Sequence, residues 1–391
     1  MDRKYANRRR FVIMPNRGIS GKVMQAALFQ DNGPNILAET LTNRMGRFSD
    51  PSHSAFAAEA PTAQMALSSV IDAADFEILS QRFDDGPVTV KMSHAARLAL
   101  EASNPGIRVL PVTRYYLPGV QPRRTVKGVE PASQPAGESA VNSGGAVFAD
   151  DAKQHFLKGQ MGGAAGKNVL IGVIDTGIDN SHPALHGQVS ALRSFIPGAA
   201  PTAGGPADWG AAAAAQSGHG THVAGIIAAA PGFGGPAGVA PNARLVSYRI
   251  FPDGKGPQPA ENPVIIDSIR AAIEDGCHII NLSIEGATLK DDGVRSAVMD
   301  AWDNGVICVA AAGNGFGKPV SYPAALPHCM AVTACGRIGT FPAKAGFKKF
   351  VSDQRASTDN QVFLASFSNY GPQVQFTAPG HAIVSTFPHG G

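Results

Sequence analysis

The chain lacks the features that would direct it to a membrane, a nucleic acid or an oxidising compartment. Nowhere among its 391 residues does an apolar run approach the roughly 18 residues that a membrane helix needs. The basic segment 1–10, with Arg8-Arg9-Arg10, is followed only by Phe11-Val12-Ile13-Met14 before Pro15. That run is too short for the apolar region of a secretory signal, so the default expectation is a cytoplasmic protein with no membrane partner. Charged residues make up 16% of the chain and nearly cancel, to a net +3, which excludes the strong positive field of a nucleic-acid binder. Cysteine is scarce, at four residues. Cys277 precedes Ile279-Ile280, and Cys308 lies within Val306–Ala310, so both read as small buried apolar residues. Cys329 and Cys335 flank Met330–Ala334, and on a strand they would be about 20 Å apart, too far to bridge. Free thiols are the expectation, although sequence alone leaves other pairings open.

What the chain does have is apolar material and turns. A hydrophobic content of 44% supports a large core, and 45 Gly with 29 Pro fit a loop-rich α/β protein. The length suggests two domains, or one large domain with an appendage. Residues 1–60 give little beyond a candidate strand at Arg10–Met14. From residue 61 to 118 a small α+β domain is expected. Strands Phe76–Phe83 and Pro87–Met92 are joined by Asp84-Asp85-Gly86, Ser93 caps a helix carrying Ala96, Leu98 and Leu100, and a strand runs from Ile107 to Leu117. A linker rich in Pro, Gly and Ser fills 119–164. From 165 to 391 apolar strands (168–174, 244–249, 277–283, 306–310, 329–334) alternate with helices (220–229, 264–275, 293–303). Such alternation predicts an α/β domain with a parallel sheet and helices on both faces. Residues 197–217 read as a surface loop.

Two motifs in this domain carry chemistry. The run Asn168-Val169-Leu170-Ile171-Gly172-Val173-Ile174 stops at Asp175-Thr176-Gly177, as a buried parallel strand delivers a carboxylate to the sheet's C-terminal edge. Gly218-His219-Gly220-Thr221-His222-Val223-Ala224-Gly225 places a histidine at a helix start. A carboxylate and an imidazole meeting above one sheet give an oriented general base. Asp-Thr-Gly also marks aspartic proteases, but that chemistry needs two such carboxylates and only one is present. The spacing of His219 and His222 suits zinc, yet no third ligand stands nearby, so no metal is expected.

Further motifs follow: Ile279-Ile280-Asn281-Leu282-Ser283, Ala310-Ala311-Ala312-Gly313-Asn314, Ser321-Tyr322-Pro323-Ala324, Phe367-Ser368-Asn369-Tyr370-Gly371 and Thr377-Ala378-Pro379-Gly380. Taken in this order, the chain from about 165 onward resembles the subtilisin-like serine proteases. The resemblance implies a subtilisin-like fold, serine-type hydrolysis of peptide bonds, Asp175 and His219 as two members of the triad, and Asn314 as oxyanion donor. It implies one edge for an extended peptide at Ser283, Ile284, Glu285 and Gly286, and an opposite edge at Gly254, Lys255 and Gly256. Family members carry glycine where Glu285 stands. Its carboxylate either alters the wall of the specificity pocket, favouring basic side chains, or faces solvent. One calcium site of the family falls at Pro231–Pro236, which here lacks oxygen-bearing side chains, so no cofactor is expected. The hairpin–helix–strand pattern resembles the inhibitory propeptide of these enzymes, which makes it an intramolecular partner beside the peptide or protein substrate. The resemblance also implies a nucleophile on a Gly-Thr-Ser-Met-Ala-like turn, and no Gly-Thr-Ser occurs among the 391 residues. The expectation is therefore a chain without its serine and with the C-terminal part of the fold absent. The alternative is a non-catalytic relative that binds peptides or regulates a partner protease.

Overall fold

By its internal contacts the chain divides into two compact units, Met1–Val112 and Thr113–Gly391. The computed structural model describes residues 8–15, 75–81, 87–103, 107–118, 165–196, 218–235, 237–252, 258–286, 291–339, 341, 346–356 and 359–388. The expected linker 119–164 and the expected loop 197–217 lie outside these described residues.

In the first unit β1 (Arg9–Pro15), β2 (Phe76–Gln81), β3 (Val88–Met92), helix α1 (His94–Ser103) and β4 (Ile107–Pro111) follow in chain order. The sheet order is β2-β3-β1-β4. Because α1 carries the chain over from β3 to β4, those two strands run parallel, and β1 lies antiparallel between them. The strand expected at Arg10–Met14 is thus the inner strand of this sheet, and the unit draws on residues well ahead of 61. Alternate residues Val88, Val90 and Met92 join Phe11, Ile13, Ile107 and Val109 in one core, closed by Ala96 and Leu100, four apart on α1. Ser93 caps α1 as expected, its Oγ accepting the N–H of Ala96 at 3.1 Å. Asp75 holds that serine in turn, its Oδ1 accepting the Ser93 N–H at 3.0 Å. The single strand expected over 107–117 is divided, with one part ending at Pro111 and the next beginning at Arg114 in a different sheet.

The second unit begins with β5 (Arg114–Tyr116) and continues through β6 (Leu170–Asp175), β7 (Val189–Ser194), α2 (His219–Ala228), β8 (Arg244–Arg249) and β9 (Ala260–Glu261). Then come α3 (Asn262–Glu274), β10 (Ile279–Leu282), β11 (Glu285–Gly286), α4 (Asp292–Asp303), β12 (Ile307–Ala311) and β13 (Cys329–Arg337). β14 (Val351–Arg355), β15 (Val362–Ala365) and β16 (Val374–Pro379) complete it. Six strands form a parallel set in the order β7-β8-β6-β10-β12-β13. β16 adds parallel to β13, while β15 and β14 continue antiparallel. The sequence did not predict β7, β14, β15 or β16, all near the flanks. In β7, β14 and β16 polar residues interrupt the continuous apolar run that marks a strand covered on both faces, and the apolar run of β15, Val362–Ala365, is only four residues long.

Strand β6 shows what such a run is for. Ile171 and Val173 pack with Ala224 and Ala228 of α2. On the other face, a Cβ at Gly172 would lie 3.5 Å from Ala272 of α3 and 3.0 Å from the Tyr248 ring. Helices therefore cover both faces, and each apolar side chain withdrawn from water there contributes about 1.5–3 kcal/mol. The order also fixes the site. From β6 the chain moves to β7 and β8 on one side and later to β10, β12 and β13 on the other. The carboxyl ends of β6 and β10 thus flank a topological switch point, where open α/β sheets form their binding crevice.

Candidate active site

Asp175 ends β6 at that crevice and is fully buried. Its Oδ1 accepts the N–H of Thr176 at 2.7 Å, which fixes the carboxylate before any partner arrives. His219 is the first residue of α2, and its Nδ1 stands 2.8 Å from Oδ1 and 3.0 Å from Oδ2 of Asp175. The pairing is tight because α2 presses its first turn on the Asp-Thr-Gly corner. A Cβ at Gly220 would meet the Gly177 carbonyl oxygen at 2.3 Å, so only glycine fits. The Gly220 N–H donates to Thr176 Oγ1 at 2.9 Å, and the Asp179 N–H donates to Thr221 Oγ1 at 2.9 Å. The acid pins Nδ1 on a side chain still one-third exposed (32%), the geometry that an oriented general base requires.

The electrostatics of the two histidines diverge. Burial disfavours the charged imidazole of His219, but the charge of Asp175 and the hydrogen bond to it outweigh this and raise its pKa above the ordinary value. At His222, burial and then the charge of His219 lower the pKa to about 4, so that ring stays neutral. No group of three metal-ligating side chains exists among the described residues. The turn from Pro231 to Gly235 offers no side-chain oxygen, so it does not fit calcium.

Asn314 follows β12, whose pairing through β10 to β6 brings it to the same sheet edge as Asp175. Gly313 adopts φ 105° there, a left-handed conformation open to glycine, and a Cβ would strike Asn369 Nδ2 and Ser321 Oγ at 2.5 Å. Asn369, 2% exposed, holds this loop. Its Nδ2 donates to the Ala312 carbonyl at 3.2 Å and to Ser321 Oγ at 3.0 Å, and its Oδ1 accepts the Gly315 N–H at 2.7 Å. In the sequence Asn369 stands within the Phe367–Gly371 motif, where nothing marks it as the residue that braces this loop.

Of the expected substrate edge, Ser283 accepts a 2.9 Å hydrogen bond from Asn281 Nδ2, while Ile284 and Gly286 are buried. The solvent-facing reading of Glu285 is overturned. At 3% exposure its Oε2 accepts the Asn314 N–H at 2.9 Å, because the vacancy over Gly313 draws the side chain inward. Gly254, Lys255 and Gly256 lie outside the described residues. Among the described residues, Ala260 and Glu261 of β9 form an edge opposite β11. Between these edges runs β5, antiparallel to both, with Tyr116 beside Glu285, Tyr115 beside Gly286 and Ala260, and Arg114 beside Glu261. Tyr115, Asn262 and Asp291, which line this slot, were not singled out from the sequence.

All four cysteines are buried free thiols, in line with their expected placement. Burial raises the pKa of each, to about 12 for Cys308, so none is an activated nucleophile. No helix among the described residues is long and apolar enough to cross a membrane.

Known proteins are similar to this chain in sequence and in fold. The family model described as the subtilase family matches residues 166–390. The major intracellular serine protease of Bacillus subtilis (strain 168) is 36% identical over 232 residues, which cover 58% of this chain and 62% of that protein. Thermitase of Thermoactinomyces vulgaris is 33% identical over 227 residues, covering 58% of this chain and 67% of its own length. Among solved structures, fervidolysin from Fervidobacterium pennivorans, described as a keratinolytic enzyme related to subtilisin, aligns with all of this chain and 49% of its own, at 22% identity and a TM-score of 0.59. The chain thus spans about two-thirds or less of the length of these relatives. The matched family and the subtilisin-like fold agree with the acid–histidine corner built above, and the chain belongs to the subtilase family.

Proposed function

We propose that the protein is a subtilisin-type serine endopeptidase in precursor form. Asp175 orients His219, His219 takes the proton of an attacking serine hydroxyl, and Asn314 stabilises the oxyanion of the tetrahedral intermediate. The observation that carries this reading is the Asp175–His219 pair at the switch point of the sheet. The serine itself would come from a Gly-Thr-Ser-Met-Ala-like segment, which is not among the 391 residues. Residues 75–117 act as the inhibitory segment, a role supported by β5 occupying the slot between the two edge strands. The Glu285 carboxylate, turned inward beside Gly313, favours a basic side chain in the specificity pocket.

The test compares the 391-residue polypeptide with the same polypeptide extended by a serine segment from a family member. The extended form is expected to cleave peptides and to react with a fluorophosphonate, with both properties lost on denaturation. The 391 residues alone are expected to do neither, since loss of the serine costs subtilisin about 10⁶ in turnover. Folded extended protein without activity would overturn the reading.

A further inference from the structure

The slot around β5 holds a recognition device that the reaction does not require. Tyr115 is 1% exposed, and its hydroxyl donates to Asp291 Oδ2 at 3.1 Å. Burial, then the charge of Asp291, raise the phenol's pKa, so it keeps its proton and acts as donor. The ring occupies space that Gly286 leaves open, since a Cβ on that residue would fall 2.6 Å from Tyr115 Cε1. Thr113 stands two residues earlier in the same extended segment, and its Oγ1 donates to the same Oδ2. Residues i and i+2 of a strand point to one side, so a single carboxylate oxygen gathers both hydroxyls.

The division of labour within Asp291 separates this device from ordinary helix capping. Asp291, 3% exposed, is the N-cap of α4, and Oδ1 accepts the N–H groups of Gly293 and Val294, each at 3.0 Å. The Asn262 amide also reaches Oδ1, at 3.4 Å. Capping therefore uses one oxygen and leaves Oδ2 turned to the peptide. Asn262 sets the register as well. Its Oδ1 accepts the Thr113 N–H at 3.0 Å, and its own N–H donates to the Thr113 carbonyl at 3.0 Å.

We propose that the pocket between Ala260, Gly286 and Asp291 is a tyrosine-reading subsite of the peptide groove. It selects extended peptides with tyrosine at the position of Tyr115 and a hydroxyl residue two places before it. This rests on the reading of the slot as the substrate groove. A phenylalanine would fill the same volume but take from the buried Oδ2 one of the two hydroxyl donors it gathers, which is how a site built around a hydroxyl disfavours its deoxy analogue. Tyr116, half-buried beside Glu285, is not read in this way.

The experiment uses the full chain carrying Tyr115→Ala, which weakens its own occupant, and a fluorescent octapeptide with the sequence of residues 111–118. Binding is followed by anisotropy. Phenylalanine at the first tyrosine of the peptide is expected to weaken binding about tenfold or more, and phenylalanine at the second less than about twofold. Equal affinity for the first-position tyrosine and phenylalanine peptides would overturn the proposal and leave the groove reading standing. No binding by any peptide of the series would overturn both. A second measurement avoids dependence on the Tyr115→Ala fold. In the otherwise unaltered chain, Tyr115→Phe is expected to speed amide exchange across Arg114–Tyr116 about tenfold, and Tyr116→Phe to leave it unchanged. The reverse ranking would likewise overturn the tyrosine reading.

Discussion

The acid–histidine corner and the tyrosine slot are both buried polar sites built around a carboxylate, and they solve different problems. At the corner, Asp175 is pinned by its own chain and turned to an imidazole that remains one-third exposed, so charge can be exchanged with whatever enters. In the slot, Asp291 is pinned by α4 and turned to two neutral donors, the enclosed hydroxyl of Tyr115 and that of the half-buried Thr113. In the proposed reading the corner is the reactive device, with an open side, and the slot is the selective one, which β5 closes. On that reading the same carboxylate group serves chemistry or recognition according to whether its free oxygen faces a titrating base or a neutral donor.

The largest expected effect breaks the corner alone. In the Tyr115→Ala polypeptide extended by a serine segment, Asp175→Asn preserves shape but removes the charge that fixes the imidazole. Turnover should fall about 10⁴-fold, the magnitude known for this change in serine-protease triads, while affinity for the octapeptide of residues 111–118 stays within about twofold. Peptide hydrolysis and anisotropy measured on the same preparation check this. A comparable loss of octapeptide affinity would show that the two sites are not separate.

Next in size is a pair of glycine substitutions that sharpen the same contrast. The Cβ of Gly220→Ala would press on the Gly177 carbonyl at 2.3 Å, which is backbone and cannot swing aside. A destabilisation of roughly 3 kcal/mol is expected. The Cβ of Gly286→Ala meets the Tyr115 ring, a side chain that can leave. The expected cost is about 1 kcal/mol, together with faster exchange of the β5 amides. Urea unfolding curves measure both, and equal costs would count against the view of β5 as a displaceable occupant.

These two regions also mark how far the sequence could be read. The corner was legible because each half is a local signal: an apolar run ending in Asp175, and a glycine-flanked His219 opening a helix. That β6, β8, β10, β12 and β13 are strands of a parallel sheet followed from similar runs; their order in it did not. Of the slot, only Gly286 was legible, as part of the edge that follows the Ile279–Ser283 motif. Thr113, Asn262 and Asp291 come from three separate segments, and none has a neighbour that marks it. Asp291 reads as a loop residue until α4 and β5 are placed around it. Glu285 was noticed as a departure from the family's glycine, but only the space above Gly313 decides that it turns inward.

A smaller effect concerns pH and again separates the two histidines. His222 has its folded pKa lowered to about 4, below the unfolded imidazole value. Between those values the unfolded chain binds a proton that the folded one does not, so stability falls as pH drops from about 6.5 towards 4. Allowing for partial solvent screening, the loss is on the order of 2 kcal/mol. His219, with its pKa raised, contributes the opposite slope, stability that is lost as pH rises through its folded value. Thermal melts across this range should therefore show an acid-side decline that His222→Gln flattens and Asp175→Asn does not.

The smallest expected effect lies between the two regions, at Glu285. Its Oε2 accepts the Asn314 N–H and lies beside Gly313, so in the proposed reading the side chain has two roles, a brace for Asn314 and a charge in the specificity pocket. Glu285→Gln keeps an oxygen for the N–H and removes the charge, which separates the two roles. The hydrogen bond to a charged acceptor becomes one to a neutral acceptor, a loss of about 1 kcal/mol in stability. If the carboxylate also faces a cationic substrate side chain, the serine-bearing form should lose roughly tenfold of its preference for arginine over leucine at the cleaved position, with the tyrosine preference of the slot unchanged. Matched peptide substrates differing only at that position measure the ratio. An unchanged arginine-to-leucine ratio would leave Glu285 as a brace for Asn314 alone, and would make the slot around Asp291 the principal source of selectivity in the groove.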